Sequence, residues 1–331
     1  MTTDALLEIK RLVVSFSRRG GDWGAARLFN AVDDVTLEIN AGEVLGLVGE
    51  SGSGKTTLAK SLLRLYRPSG GQILFEGTDL APLGERALKP YRRHLQMVFQ
   101  YPISSFNPRH TVADSLAIPL RLHRLCPKSQ IARRVDETLG RVGLSPRLRD
   151  RFPHELSGGQ LQRVAIGRAL ILSPRLLVAD EAVSKLDVSV RAQILNLLKD
   201  VREANALSIL FVTHDLHVAR YLCDRIGVMY FGKLVEIGHT EDVLTSPRHP
   251  YTQALVDTLK EDDAAIPDGE TAMAPPSQTG CRYASRCTHA IARCVEAHPE
   301  LVEIAEGHAV ACWRWRELAP AKTDFSLAHE R

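Results

Sequence analysis

Residues 44–63 have the sequence Val-Leu-Gly-Leu-Val-Gly-Glu-Ser-Gly-Ser-Gly-Lys-Thr-Thr-Leu-Ala-Lys-Ser-Leu-Leu. The apolar run 44–48 predicts a buried strand, and residues 57–63 predict a helix. The glycine-rich segment between them has the spacing of a phosphate-binding P-loop, and strand, loop and helix follow one another in the order that this motif requires. The stretch therefore predicts an α/β fold with a nucleotide site where the strand meets the helix.

The P-loop residues have the chemistry that a nucleoside triphosphate and Mg²⁺ need. Glycines let the backbone aim consecutive N–H groups at phosphate oxygens, and the helix N-terminus adds a partial positive charge. We expect Lys55 to contact the β and γ phosphates and Thr56 to offer its hydroxyl to Mg²⁺. The alternative is a glycine turn with an exposed lysine. The residues assigned to nucleotide binding are Gly49, Glu50, Ser51, Gly52, Ser53, Gly54, Lys55, Thr56 and Thr57.

Two carboxylates follow a second buried-strand pattern. Residues 175–179 (Arg-Leu-Leu-Val-Ala) end at Asp180 and Glu181, and the carboxyl edge of a parallel sheet is where such folds bind ligands. We expect Asp180 to hold Mg²⁺ and Glu181 to act as the general base toward a water in line with the γ-phosphate. The alternative is a pair of solvated carboxylates that cap the next helix.

Gln100 and His214 also follow predicted strands. Each is a weak signal alone, because a lone histidine after a strand is more often structural than catalytic. Gln100 and His214 become candidate site residues because they follow strands in the same manner as the two carboxylates. The predicted strands are 44–48, 96–99, 176–179, 208–212 and 225–229.

A second glycine-rich stretch, Leu156-Ser157-Gly158-Gly159-Gln160, lies roughly a hundred residues after the P-loop. Ser157 is a good N-cap, and the helix predicted over 158–170 would point its positive end at a phosphate. One nucleotide does not need two such loops. The second loop therefore raises the question of whose nucleotide it binds.

Composition limits the class of protein. The chain has 331 residues, is 44% hydrophobic and 24% charged, and its Lys and Arg exceed its Asp and Glu by only three. This balance gives no indication of a nucleic-acid partner. No apolar run reaches the roughly 18 residues that span a bilayer, and the first residues resemble no signal peptide. We therefore expect a cytoplasmic chain whose six cysteines are reduced or metal-bound.

The order of patterns along the chain predicts its domains. Short apolar runs alternate with amphipathic stretches from Leu6 to about Leu259, which is typical of a mainly parallel sheet covered by helices. Residues 111–151 are rich in arginine and helix formers and are expected to be a helical insertion. We predict a cassette at 1–260 with a helical subdomain at about 101–170, a proline-containing linker at 261–280, and a small cysteine-rich extension at 281–331.

These residues together resemble the ATP-binding subunits of ABC transporters, and the resemblance covers Leu6 to about Leu259. It implies a P-loop NTPase fold of the ABC cassette type, with ATP and Mg²⁺ as cofactors and ATP hydrolysis as the reaction. The matching motifs are Walker A at 49–56, the Q-loop glutamine Gln100, the signature at 156–160, Walker B at 175–180, the D-loop at 184–187 and the switch histidine His214.

The resemblance also assigns roles that the local patterns leave open. Two cassettes sandwich two nucleotides, so Ser157, Gly158, Gly159 and Gln160 are implied to bind the ATP of a second, identical or different, ATPase subunit. Gln100 is implied to sense Mg²⁺ and water, and His214 to stabilise the γ-phosphate. Phe16 lies where the family places the aromatic ring that stacks on adenine. The helical region and the segment after Gln100 are implied to dock a permease helix.

Within that family, three stretches resemble the ATPases of bacterial dipeptide and oligopeptide importers: 104–109, 247–252 and 280–283 with the later cysteines. The resemblance implies two transmembrane permease subunits, a periplasmic or extracellular solute-binding protein, and a peripheral position on the cytoplasmic face of the bacterial inner membrane. Importers of nickel, opines or other small solutes use similar subunits and stay open as an alternative. A non-transport ABC ATPase of translation or DNA repair would have two cassettes or a long coiled coil, and this chain has neither.

Three residues depart from the family pattern beside the site. Tyr101 stands where aspartate is usual, Ala182 where proline is usual, and Lys185 where a small residue is usual. None of them supplies chemistry, so hydrolysis is expected to survive. Coupling of hydrolysis to the membrane subunits is the property that these changes place in question.

Cys281, Cys287, Cys294 and Cys312 fall within one short segment. Four thiolates suit a soft metal, although the spacings do not fit the short knuckles of common zinc sites. The resemblance to peptide-importer ATPases implies a 4Fe–4S cluster; a disulfide and unligated thiols are the alternatives. We interpret the neighbouring His289, His298 and His308 as surface or helix-end residues.

Overall fold

The computed structural model describes residues 5–18, 27–258 and 279–318. These residues form twelve strands and ten α-helices, with short 3₁₀ helices at Pro102–Ser105, Pro146–Asp150 and Pro153–Glu155. The strands are β1 (Ala5–Arg18), β2 (Arg27–Asn40), β3 (Val44–Val48), β4 (Gly70–Phe75), β5 (Thr78–Asp79), β6 (Leu95–Val98), β7 (Leu176–Asp180), β8 (Ser208–Val212), β9 (Arg225–Tyr230), β10 (Lys233–His239), β11 (Val302–Ala305) and β12 (His308–Val310). The helices are α1 (Lys55–Leu62), α2 (Glu85–Arg92), α3 (Val112–His123), α4 (Lys128–Arg141), α5 (Gly158–Leu170), α6 (Val188–Asn205), α7 (Leu216–Leu222), α8 (Thr240–Thr245), α9 (Pro250–Asp257) and α10 (Ala292–Glu296).

The larger sheet has eight strands in the order β11-β12-β10-β9-β3-β8-β7-β6. Its central pairs, from β9 through β3, β8 and β7 to β6, are parallel, so their carboxyl ends meet at one edge. All five predicted strands are present; β6 begins and ends one residue before the predicted 96–99. The sequence patterns thus located the sheet that carries the P-loop.

Both faces of the larger sheet are buried, which explains its continuous apolar strands. In β3, Val44 and Val48 pack into a core formed with the helices, while Leu45 and Leu47 pack into a second core. That second core lies against a smaller antiparallel sheet with the order β2-β1-β4-β5. This smaller sheet was not predicted from the sequence.

The predicted helical insertion is confirmed between β6 and β7. It contains α3 and α4, and the signature helix α5 follows it. Thr111 caps α3 with a complete capping box, since its hydroxyl accepts from the Asp114 N–H and the Asp114 carboxylate accepts from the Thr111 N–H. No described helix is long and apolar enough to cross a membrane.

Most of the predicted linker, residues 261–278, lies outside the described residues, as does the end of the predicted extension at 319–331. The described part of the extension contains α10 and the β11–β12 hairpin. This hairpin joins the larger sheet, because β12 pairs with β10 at Glu236–Val310 and Ile237–Ala309. The boundaries proposed at 260 and 281 stay predictions.

Candidate functional site

The P-loop connects β3 to α1 and folds around the side chain of Lys55. The buried Lys55 Nζ donates to the carbonyls of Gly49 (2.6 Å) and Glu50 (2.8 Å) and to Ser53 Oγ (3.0 Å). Burial lowers the pKa of Lys55 to about 8, and the carboxylates of Glu181, Asp180 and Glu50 oppose this shift. A bound triphosphate would favour the charged ammonium further.

Two P-loop positions accept no side chain. Gly49 and Gly54 have φ values of 144° and 103°. A Cβ at Gly49 would lie 2.2 Å from the Met229 carbonyl oxygen, and one at Gly54 would lie 2.3 Å from the Ala31 carbonyl oxygen. The loop is therefore pressed against neighbouring backbone, and glycine is the residue that allows this approach.

Thr56 and Asp180 form a pair suited to a divalent cation. Thr56 is the second residue of α1, Asp180 ends β7, and the Thr56 hydroxyl donates to Asp180 Oδ1 at 2.9 Å. Burial raises the pKa of the Asp180 carboxyl group, against the effect of this hydrogen bond. A cation bound at these two oxygens would stabilise the ionised carboxylate, which is the chemistry expected of a Mg²⁺ site.

Glu181, Gln100 and His214 come together from three strand ends. Gln100 Nε2 donates to Glu181 Oε2 at 2.5 Å, and His214 Nδ1 lies 3.6 Å from Glu181 Oε1. The His214 imidazole lowers the pKa of Glu181, and the Glu181 carboxylate in turn raises the pKa of His214. Glu181 is therefore ionised at neutral pH and held beside the Lys55 ammonium.

Glu181 also has a left-handed backbone, with φ at 46°. Its N–H donates to the Val212 carbonyl of β8 at 2.9 Å, and its own carbonyl accepts from the Ser184 hydroxyl at 3.1 Å. A non-glycine residue in this region of φ is strained, and such strain persists where surrounding contacts hold it. These contacts turn the Glu181 side chain toward Gln100 and His214.

The signature residues lie apart from this cluster. Ser157 caps α5, whose Gly158–Leu170 range matches the predicted helix, and Ser157 and Gln160 make a reciprocal capping box. Ser157 and Gly158 are exposed; apart from the adjoining residues and the backbone of α5 itself, no heavy atom of the described residues lies within 4 Å of the place where a Gly158 Cβ would be. The capped helix end is thus open to a ligand from outside the described part of this chain.

Comparison with known proteins decides the family. The chain is similar to the putative oligopeptide transport ATP-binding protein YkfD of Bacillus subtilis, at 44% identity over 94% of this chain and 96% of that protein. The chain belongs to the ABC transporter family. The family model for ABC transporters matches residues 32–184, and the model for the oligopeptide/dipeptide transporter C-terminal region matches residues 235–294. The oligopeptide transport ATP-binding protein AppF of Bacillus subtilis is 42% identical over 90% of this chain and 91% of that protein.

Solved structures confirm the predicted fold of an ABC cassette. The dimeric ATP-binding cassette MJ0796 bound to ADP and Pi has a TM-score of 0.63 and 28% identity, covering 71% of this chain and 98% of that chain. CbiO1 from Clostridium perfringens, part of the cbiONQ ABC transporter complex, has a TM-score of 0.62 and 28% identity, and the match covers 72% of this chain and 90% of that chain. The chain is therefore an ATPase subunit that binds ATP with Mg²⁺.

The adenine-side aromatic and the departures from the family pattern also have defined positions in this cassette. Phe16 on β1 packs edge-on against Tyr66, with ring centroids 5.3 Å apart, and lies half-buried. Tyr101 and Lys185 are exposed, whereas Ala182 is buried. The two exposed residues are thus available to a partner subunit, and Ala182 is not.

The four cysteines of the extension line one small cavity of about 20 Å³ with Tyr283 and Trp313. All six cysteines of the chain lie in the described residues and are free thiols. Burial raises the pKa of Cys281, Cys287 and Cys312, the last to about 11, and backbone N–H groups donate to all three sulfurs. Within the described residues, no three His, Cys, Asp or Glu side chains are arranged to hold a metal as they stand.

The interpretation of the extension's histidines as surface residues is wrong for two of them. His308 is buried on β12, and its Nε2 lies 2.8 Å from Glu236 Oε1 of β10. His298 is partly buried, and desolvation lowers its pKa to about 4. His308 is buried because the hairpin that carries it pairs with β10, whereas His289 is exposed as expected.

Sequence reasoning missed residues that support the P-loop from outside the motif. The Tyr251 hydroxyl accepts from the Glu50 N–H at 2.8 Å, and Arg286 Nη1 lies 3.1 Å from Glu50 Oε2. Tyr251 lies in the stretch 247–252, which carries part of the peptide-importer resemblance, and Arg286 follows the stretch 280–283, which carries another part. Both residues lie more than 200 positions after Glu50 in the sequence, and no local pattern links them to the P-loop.

Proposed function

We propose that this ABC ATPase energises the uptake of di- and oligopeptides by a membrane importer. One observation carries the proposal: the match to the oligopeptide/dipeptide transporter C-terminal region spans 235–294, from strand β10 to the third extension cysteine. The relatives named above are described as oligopeptide transport proteins, which favours transport over a role in translation or DNA repair. The chain would act as a peripheral subunit on the cytoplasmic face of the inner membrane.

The catalytic roles follow from the cluster at the sheet edge. Glu181 takes a proton from water, the water oxygen attacks the γ-phosphorus, and the bond to the β-phosphate oxygen breaks to release ADP and phosphate. Gln100 holds the Glu181 carboxylate in place through its 2.5 Å hydrogen bond. His214 stabilises the γ-phosphate, and Lys55 neutralises charge on the β and γ phosphates.

Thr56, Asp180 and Gln100 would hold Mg²⁺, which supplies charge neutralisation at the phosphate oxygens. The short Thr56–Asp180 contact and the buried position of Asp180 support this assignment. The remaining P-loop residues would bind phosphate through their backbone N–H groups, apart from Glu50, whose N–H donates to the Tyr251 hydroxyl, and Phe16 would contact adenine.

The exposed signature supports action in trans. Ser157, Gly158, Gly159 and Gln160 would bind the γ-phosphate of ATP held by the P-loop of a second cassette, identical to this chain or different. The open space at Gly158 and the exposed N-terminus of α5 favour an anion there. A single cassette would therefore be a poor catalyst.

A groove beside the Q-loop suits a permease helix. A cavity of about 310 Å³ lies between the helical region and the sheet, lined by Phe99, Leu65, Ile118 and Leu122 among others. The last three are large, exposed apolar side chains. Because Phe99 directly precedes Gln100, a helix seated there would be linked to the catalytic glutamine. Leu122→Asp should keep ATP binding and abolish co-purification with the permeases.

Cys281, Cys287, Cys294 and Cys312 would hold a 4Fe–4S cluster. Four sulfurs line one cavity and N–H donors are directed at three of them, which supports this assignment. The cavity of about 20 Å³ would have to widen and the four thiols to rearrange around the cluster, because they are not arranged to hold a metal as they stand. A cluster bound there would cross-link the extension. Protein purified without oxygen should be coloured and contain iron; colourless protein without iron or zinc would exclude the assignment.

Uptake measurements in cells test the transport role. Deletion of the gene should abolish accumulation of labelled di- and tripeptides and leave Ni²⁺ uptake unchanged. The wild-type gene should restore uptake and Lys55→Met should not, while Glu203→Gln, an exposed change on α6, serves as the matched control. Loss of Ni²⁺ or opine uptake with normal peptide uptake would support the other solute classes, and no change in any uptake would argue against transport.

A further inference from the structure

The short segment 281–287, here called the cysteine loop, is bounded by two of the extension's four cysteines and contacts the P-loop. Arg286 Nη1 lies 3.2 Å and 3.1 Å from the two carboxylate oxygens of Glu50, the second residue of the P-loop. Arg286 also hydrogen-bonds to the Tyr230 hydroxyl at the end of β9. The same guanidinium thus reaches both the P-loop and the strand beneath it.

Tyr283 makes a second contact from the cysteine loop. Its ring lies 5.4 Å from Tyr251 and 5.2 Å from Tyr230, measured between ring centroids. Tyr251 is fully buried, and its hydroxyl accepts from the Glu50 N–H. The three rings form one packed cluster, which fixes the hydroxyl that holds the P-loop backbone.

Arg282 makes a third, indirect contact. Its Nη2 donates to Asp33 Oδ2 at 2.7 Å, and the Asp33 N–H donates to the Gly232 carbonyl at 2.9 Å. The Gly232 N–H then donates to the Ser53 carbonyl of the P-loop at 2.8 Å. Three residues of one short loop are therefore connected to the P-loop, at Glu50 and at Ser53.

We propose that the cysteine loop clamps the P-loop and that Arg286 is a positioning residue for ATP binding. This inference rests on the proposed nucleotide site at the P-loop and adds to it a requirement for the extension. Glu50 is an acidic residue inside a loop that must accept a triphosphate, and its carboxylate acts on Lys55. Arg286 draws that carboxylate outward and balances its charge.

The expected loss without Arg286 follows from this geometry. Both side chains of the Arg286–Glu50 pair are partly exposed, so the pair itself is weak. Removal of the Arg286 guanidinium leaves the Glu50 charge uncompensated beside the phosphates and frees the Glu50 carboxylate to compete with the phosphates for Lys55. Arg286→Met should weaken ATP binding about fivefold, which corresponds to about 1 kcal/mol.

The test measures binding of mant-ATP, a fluorescent ATP analogue, to the full chain in EDTA, where hydrolysis does not interfere. Arg286→Met should raise the Kd about fivefold, and Arg286→Lys should recover most of the affinity. Arg316→Met, an exposed arginine of the same extension, should leave the Kd unchanged. In the assembled transporter Arg286→Met should raise the KM for ATP more than it lowers kcat.

A double-mutant cycle separates positioning from a general structural effect. In a Glu50→Gln background, Arg286→Met should have less than a twofold effect on Kd, because the charge that it balances is gone. An undiminished effect in that background, or an unchanged Kd for Arg286→Met alone, would overturn the proposal. Failure of the wild-type chain to bind mant-ATP at all would instead refute the nucleotide site itself.

Discussion

Replacement of Glu181 by glutamine tests the centre of the proposed chemistry. The new side chain has nearly the same shape, and its amide oxygen can still accept the hydrogen bond that Gln100 now gives to Glu181 Oε2. The backbone contacts of residue 181 with Val212 and Ser184 do not involve the side chain. The substitution therefore keeps the shape of the site and removes the carboxylate, which supplies both the ability to take a proton from water and the negative charge beside His214 and Lys55.

The size of the loss follows from the ionisation of Glu181. Because His214 lowers the pKa of Glu181, essentially every molecule carries the base at neutral pH, so the whole contribution of the base is lost. General bases contribute about 10²–10⁴ in rate, and each tenfold loss raises the barrier by about 1.4 kcal/mol. We expect kcat for ATP hydrolysis to fall at least about a hundredfold.

The assay is release of inorganic phosphate by the assembled transporter, with mant-ATP binding to the isolated chain measured in parallel. Binding should be retained in Glu181→Gln, because Lys55, Thr56 and Asp180 are unchanged. Glu203→Gln, a matched change at an exposed position of α6, should have wild-type activity. Turnover of Glu181→Gln within twofold of wild type would refute the general-base role. Loss of mant-ATP binding would show that the substitution damages nucleotide binding and not only the proton transfer.

Three further changes test neighbouring contacts. The Glu181 carboxylate raises the pKa of His214 in the native protein, so in Glu181→Gln this pKa should fall toward its ordinary value in a histidine NMR titration. The raised pKa stabilises the fold below about pH 6.5, and this stabilisation is lost as the pH rises through the native pKa; in the variant it should be absent at every pH. An unchanged titration would contradict the contact. Tyr251→Phe removes the acceptor for the Glu50 N–H and should lower the free energy of unfolding by about 1–3 kcal/mol in urea; an unchanged midpoint would count against it. Ser157→Arg should keep mant-ATP binding and prevent ATP-dependent dimers in size-exclusion chromatography, where a normal dimer peak would exclude the trans role.

Local sequence patterns were sufficient to predict those helices and strands whose position depends on a single local interaction. The N-cap residue Ser157 placed the start of α5, and apolar runs of four or five residues placed the parallel strands. Placement of Gln100, Glu181 and His214 together followed from a topological rule, since parallel strands end at one edge. These inferences needed no knowledge of distant contacts.

The smaller sheet and the docking of the extension could not be predicted in the same way. β1 and β2 pair through several register shifts, which interrupt the alternation that a half-buried strand would show. The partner of the β11–β12 hairpin depends on which strand edge is free in the folded cassette. One signal was present: Glu236 is a charged residue inside the apolar run 234–237, and such a residue needs a buried partner.

That carboxylate links the extension to the nucleotide site. Glu236 is fully buried and accepts from the backbone N–H groups of Arg248 and His249 while it contacts His308 Nε2 of β12. Without β12, the carboxylate would lose the ring that covers it and β10 would become an open sheet edge. The segment held by Glu236 leads directly into Tyr251, whose hydroxyl holds the P-loop. The extension therefore supports the phosphate-binding loop twice, through the cysteine loop and through Glu236, and is part of the nucleotide site's scaffold.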